Sequence, residues 1–155
     1  MATGDIRWFQ QGLVDLGTKI HNLTADVLQL AIVTATTAPT MATAGPHFGG
    51  TGTTNFSTTQ VGIAGGYTGP ITLAGVTWTN VSGVITLRAT DVVIAQNASG
   101  FANGAYGIIF NSTDANKRAL GFVELSAAGT LSIVSGSVTV DFQGLGTDVL
   151  RITPS

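Results

Sequence analysis

Between positions 27 and 87 the chain runs for 61 residues without one aspartate, glutamate, lysine or arginine. A stretch of that length cannot draw its solubility from charge. It must bury its apolar residues in strands and meet water through hydroxyls, amides and backbone. Over the whole chain only 9% of residues are charged, against about 25% in an average globular domain. The hydrophobic share of 44% excludes a disordered polymer, which combines low hydrophobicity with high charge. Two expectations fit such a composition: a body that lives packed against copies of itself or a partner, and a small β fold with one neutral face.

The length of 155 residues suits a single domain. Within it, residues 1–22 are expected to form a helical N-terminal segment. Phe9, Leu13, Leu16 and Ile20 recur at helical spacing, with Asp5 as the N-cap and Asp15–Lys19 as an i,i+4 pair. From Val27 to Thr34 an apolar run broken only by Gln29 predicts a central strand buried on both faces. Residues 35–57, rich in Thr, Ala and Gly, predict a long loop or arm open to neighbours.

Short strands are then expected over 58–63, 71–78 with a bulge at Gly75, 84–88, 91–96, 106–110, 120–125, 138–142 and 148–153. Val92, Val93 and Ile94 have the look of a buried strand core. The polar stretch 111–118 predicts a hairpin tip. The fold class is all-β: an antiparallel β-sandwich, jelly-roll-like, with one short N-terminal helix.

Motifs that carry chemistry are scarce. There is no cysteine, so thiolate metal sites and disulfides are excluded. His21 and His47 are the only histidines, and neither has an acidic neighbour at ligand spacing, so both are expected to be ordinary loop or helix-end residues. No Gly-X-Ser-X-Gly elbow is present. Asp114-Ala115-Asn116 opens like a calcium loop but lacks its glycine and glutamate, and the glycine-rich 49–54 stretch lacks a phosphate-binding lysine. Asp141 and Asp148 are the remaining candidates for a carboxylate pair. The expectation is therefore a non-enzyme with no cofactor and no metal. A formal net charge of −2 argues against nucleic acid as a partner. Apolar runs far short of about 20 residues argue against a membrane-spanning helix. Asp5, Arg7 and two glutamines interrupt any apolar leader, so synthesis in a cytoplasm is expected.

Two stretches carry a resemblance. The first is Trp8-Phe9-Gln10-Gln11-Gly12-Leu13-Val14-Asp15-Leu16-Gly17, running through His21 into Leu28-Gln29-Leu30-Ala31-Ile32-Val33-Thr34. The second is Ala105-Tyr106-Gly107-Ile108-Ile109-Phe110-Asn111-Ser112-Thr113-Asp114, followed by Lys117-Arg118-Ala119-Leu120-Gly121-Phe122-Val123-Glu124-Leu125. Together they resemble small structural virion proteins of tailed bacteriophages, of the capsid decoration or cement type. The resemblance implies a β-sandwich bound in many copies to the capsid exterior, with the major capsid protein as partner; the low charge and high apolar content of residues 27–87 separately predict association with itself as a dimer or trimer.

On that expectation the partner contact falls on the neutral loop, at His47, Phe48, Thr51, Thr53, Thr54, Asn55 and Phe56. Two alternatives remain open. One is a tail-associated virion protein, tube or accessory. The other is a carbohydrate- or receptor-binding module using Trp78, Tyr67 and Tyr106 as stacking platforms.

Overall fold

The computed structural model describes residues 6–126, 128–142 and 150–152. In chain order the elements are β1 (Ile6–Trp8), α1 (Gln10–Gly17), β2 (Leu28–Val33), β3 (Pro46–His47), β4 (Thr54–Asn55), a 3₁₀ turn (Phe56–Thr59), β5 (Ile71–Thr72), β6 (Thr77–Val81), β7 (Val84–Arg88), β8 (Val92–Ile94), β9 (Tyr106–Asn111), β10 (Ala119–Glu124), β11 (Val138–Val140) and β12 (Leu150–Ile152). The protein is mostly β with one short helix. Five strands form the main sheet in the order β1-β10-β9-β2-β5; β12-β7-β6 and β11-β8 form smaller sheets. All these pairings are antiparallel, and only the two-residue ladder of β3 with β4 is parallel.

The expected central strand is β2, and alternation along it explains why both faces are apolar. Leu28, Leu30 and Ile32 join a cluster with Leu87, Val92, Ile94, Val138, Val140 and Phe142. Ala31 and Val33 join a second cluster with Phe9, Phe48, Phe56, Phe110 and Phe122. A register shift between Ala119 and Gly121 in β10 keeps its neighbours faithful to these two clusters. The extra residue, Leu120, falls in the first cluster, while Ala119 and Phe122 on either side both serve the second. Between β6 and β7, Ser82 and Gly83 both take positive φ, the two-residue turn that matches the twist of a hairpin.

The N-terminal segment differs from its expectation. Residues 6–8 pair with β10 as a strand, and the helix covers only Gln10–Gly17 with Phe9 as its N-cap. Asp5 lies outside the described residues. Leu13 is 45% exposed, whereas Gly12 and Asp15 are buried. The inward face is offset from the apolar stripe, with Phe9 buried and Leu16 half-buried against the first cluster but Leu13 turned out, because Gly12 lets the helix backbone close on β10. A Cβ at Gly12 would come within 2.7 Å of the Leu120 carbonyl oxygen. Lys19, at positive φ beyond the helix end, is exposed and makes no ion pair with the inward-facing Asp15.

Three strand expectations also change. Residues 56–59 form a 3₁₀ turn because Asn55 accepts from the Ser57 amide and Thr58 and Thr59 donate back to carbonyls. Gln60 then pairs with Val33 through an isolated bridge and not as part of a strand. Gly75, at positive φ, bends the chain between two separate strands, so no bulge forms there. Val93 is 64% exposed, so β8 has one wet face. The strand expected over 148–153 is described only at β12, 150–152.

The two helical glycines should respond oppositely to alanine. Gly17→Ala meets open space and should stabilise by up to about 1 kcal/mol. Gly12→Ala must push α1 off β10 and should cost roughly 1–3 kcal/mol. Leu13→Ala should stay within about 0.5 kcal/mol. Urea denaturation of the three variants measures all of this.

Candidate functional site

The neutral segment 35–57 is folded against the main sheet, and its Phe48 and Phe56 side chains are part of the core. The Met41 carbonyl accepts the Gln10 amide at the start of α1, and the Phe48 amide donates to the Lys117 carbonyl. Phe48 stacks on Phe110 with ring centroids 4.6 Å apart, and Phe56 lies 5.9 Å from Phe9. His47, Phe48 and Phe56 are therefore buried, a correction to their expected place on a docking face. The reason is that an uncharged loop rich in small residues loses little hydration when it lies on a sheet, and the sheet's second face needs aromatic cover. Asn55 and Thr54 are half-buried and occupied with their own chain. The Asn55 Oδ1 accepts from Gly49 and Ser57, and the Thr54 hydroxyl donates to the Ala44 carbonyl. Of the seven expected contact residues, Thr51 and Thr53 are the two left exposed.

The stacking platform also changes. Tyr67 is fully buried, its hydroxyl accepting from the Ile32 amide at 3.0 Å and from the Gln60 side chain at 3.1 Å. Burial raises its hydroxyl pKa above the ordinary phenolic value, and these hydrogen bonds oppose the shift. Trp78 and Tyr106 are half-buried and pack against different apolar clusters, so the three rings do not share an exposed face. Trp78 does border a pocket of about 350 Å³ whose other walls include Leu16, Lys19, Leu23 and Thr24. Of the carboxylate pair, Asp141 is exposed and Asp148 lies outside the described residues.

Behind this pocket is a polar cluster that sequence spacing did not reveal. α1 supplies Asp15, the following connection supplies His21 and Asp26, and the β9–β10 hairpin supplies Asn111, Asp114 and Arg118. Asn111 is fully buried and sits at the centre. Its Oδ1 accepts from the Thr113 and Asp114 amides, and its Nδ2 donates to Asp26 Oδ2 at 2.6 Å and to His21 Nδ1 at 3.1 Å. Asp26 Oδ2 also accepts the Asn22 amide at 2.7 Å. Gln11 donates to Asp15 Oδ1. Arg118 lies 3.9 Å from Asp15 and 3.7 Å from Asp114.

Asp15 Oδ2 and His21 Nε2 are buried, face each other at 3.9 Å, and make no hydrogen bond. Burial lowers the His21 pKa below its usual 6.5, although three nearby carboxylates pull the other way. The Asp15–His21 approach is local, made by the turn after α1, where the Ile20 and His21 amides both reach the Asp15 carbonyl. The Asn111 link spans 90 positions and only the fold creates it.

Compared with known protein families, curated proteins and solved structures, the chain gives no match in any of the three.

Phe56→Ala should cost about 3–5 kcal/mol in denaturant unfolding, whereas Thr51→Lys should change stability by no more than about 0.5 kcal/mol. Asn111→Ala, which strands buried donors and acceptors together, should cost roughly 2–3 kcal/mol.

Proposed function

We propose that this chain is a non-enzymatic virion structural protein of a tailed phage, decorating and reinforcing the capsid exterior through many copies bound to the major capsid protein. The fold we infer for that role is a jelly-roll-like β-sandwich. Its support is the pair of apolar clusters, one of which joins the main sheet to residues of β7, β8 and β11.

The observation that carries the functional reading is a set of exposed, uncharged residues on a folded body. Thr36, Thr40, Met41, Thr51, Thr53 and Ile63 are exposed, and the whole 27–87 stretch around them has no Asp, Glu, Lys or Arg. Docking such a surface strips little charge hydration and freezes short side chains with little entropy to lose. Weak single contacts of this kind become firm when a lattice repeats them and when copies associate as dimers or trimers. Binding to the assembled shell and not to its dissociated subunits stabilises the shell by mass action.

Deleting 36–56 is not a clean test, because it would remove Phe48 and Phe56 from the core. Charge added at the exposed Thr51 and Thr53 is cleaner. Gold-labelled antibody against the chain, imaged on virions of the phage that encodes it, should mark the head shell. The label should survive washing at about 1 M salt, where the Debye length is only about 3 Å. Thr51→Glu with Thr53→Glu should reduce it. Label confined to the tail, or absent from virions, would overturn the proposal.

A further inference from the structure

Protonation has an unusual consequence at His21. Its imidazole is fully enclosed, and Nδ1 faces the Asn111 amide nitrogen at 3.1 Å. An amide nitrogen can only donate, so Nδ1 must accept, and the neutral ring carries its proton on Nε2. Asn111 cannot turn over to suit a protonated ring. Its Oδ1 is held by the Thr113 and Asp114 amides, and a flip would point that oxygen at the Asp26 carboxylate. A proton on Nδ1 therefore sets two donors against each other in a buried site.

We propose that His21 is a proton-sensitive latch, holding the 18–27 connection against the 111–118 hairpin tip when neutral and releasing it in mild acid. The segments it joins are also tied by the Asn111 Nδ2 bond to Asp26 Oδ2 at 2.6 Å. The Val27 amide donates to Thr113 Oγ1, and the Ser112 amide and hydroxyl donate to the Val27 carbonyl.

Among the described residues, four charged groups act on the ring. Asp15 from α1, Asp26 from the connection and Asp114 from the tip favour the imidazolium, and Arg118 disfavours it. Arg118 already lies close to Asp15 and Asp114, and Asp26 Oδ2 is occupied by Asn22 and Asn111. Asp15 Oδ2 stands 3.9 Å from Nε2, beyond hydrogen-bond reach. The carboxylates thus do not repay the desolvation of a buried cation, which agrees with the direction in which burial shifts the ring.

Because the latched ring holds its proton less tightly than a free imidazole, the unlatched state protonates first as pH falls below 6.5. The latch is fully present above that pH. It weakens through the window below it, and the loss levels off once pH passes the depressed pKa of the latched form.

The test is amide exchange followed by NMR between pH 7.5 and 5, on the wild type and on His21→Gln, which keeps an acceptor and does not titrate. With rates corrected for intrinsic exchange, the Val27, Ser112 and Thr113 amides of the wild type should open more often by up to about tenfold per pH unit within the window. The Leu30 and Ile109 amides of the main sheet should lag behind, and the variant should lose the response at all of these sites. Equal response of latch and sheet, or the same response in His21→Gln, would overturn the proposal. Should the variant fail to fold, imidazole ¹⁵N shifts of the wild type decide. An Nε2–H tautomer at neutral pH with a midpoint below 6.5 supports the latch; an Nδ1–H tautomer or a midpoint at or above 6.5 refutes it.

Discussion

Strand β2 is the constraint on which the rest of the structure depends. It is buried on both faces and hydrogen-bonded on both edges, so each backbone amide and carbonyl needs a partner that water cannot supply. β9 takes one edge along its whole length. The other edge is assembled piecewise: β5 pairs with Gln29 and Leu30, the Tyr67 hydroxyl accepts from Ile32, the Val61 amide donates to the Ile32 carbonyl, and the Thr59 carbonyl accepts the amide of Thr34 just beyond the strand. An uncharged chain can provide such irregular cover because none of the covering residues brings a charge that must stay wet.

The same strand dictates two apolar clusters and therefore two sources of cover. One face is met by strands contributed from the second half of the chain. The other is met by segment 35–57, whose Phe48 and Phe56 join Phe9, Phe110 and Phe122. A Thr/Gly-rich stretch thus combines two duties along its length. Its aromatics close the core, and its threonines meet solvent. The functional proposal rests on the second duty, and the first limits which residues are free to make contact.

The polar cluster is the counterpart of this neutrality. With so few charges in the chain, Asp15, Asp26, Asp114, Arg118 and His21 converge where the helix, its connection and the hairpin meet. Asn111 ties His21, Asp26 and the start of the hairpin turn together by using both of its amide hydrogens and its carbonyl oxygen. A satisfied amide at the centre and two unsatisfied atoms at its rim make the junction specific at neutral pH and vulnerable to an added proton.

Periodicity and composition alone determined the β-rich class, the doubly buried β2, the β9–β10 hairpin, the one-sided β11 and the scarcity of reactive groups. These follow from local patterns: side-chain alternation, apolar runs and turn residues between them. Tertiary structure alone decided which face of α1 turns inward, because that depends on Gly12 fitting against the Leu120 carbonyl, which leaves Leu13 outside while Leu16 still packs on the core. It also decided that His47, Phe48 and Phe56 belong to the core. A glycine- and threonine-rich loop carries no periodic signal, and its two aromatics find partners more than 40 positions away along the chain, at Phe9 and Phe110. The His21–Asn111 contact was invisible for the same reason. Each residue is unremarkable in its own neighbourhood, and their chemistry exists only once β9 brings one to the other.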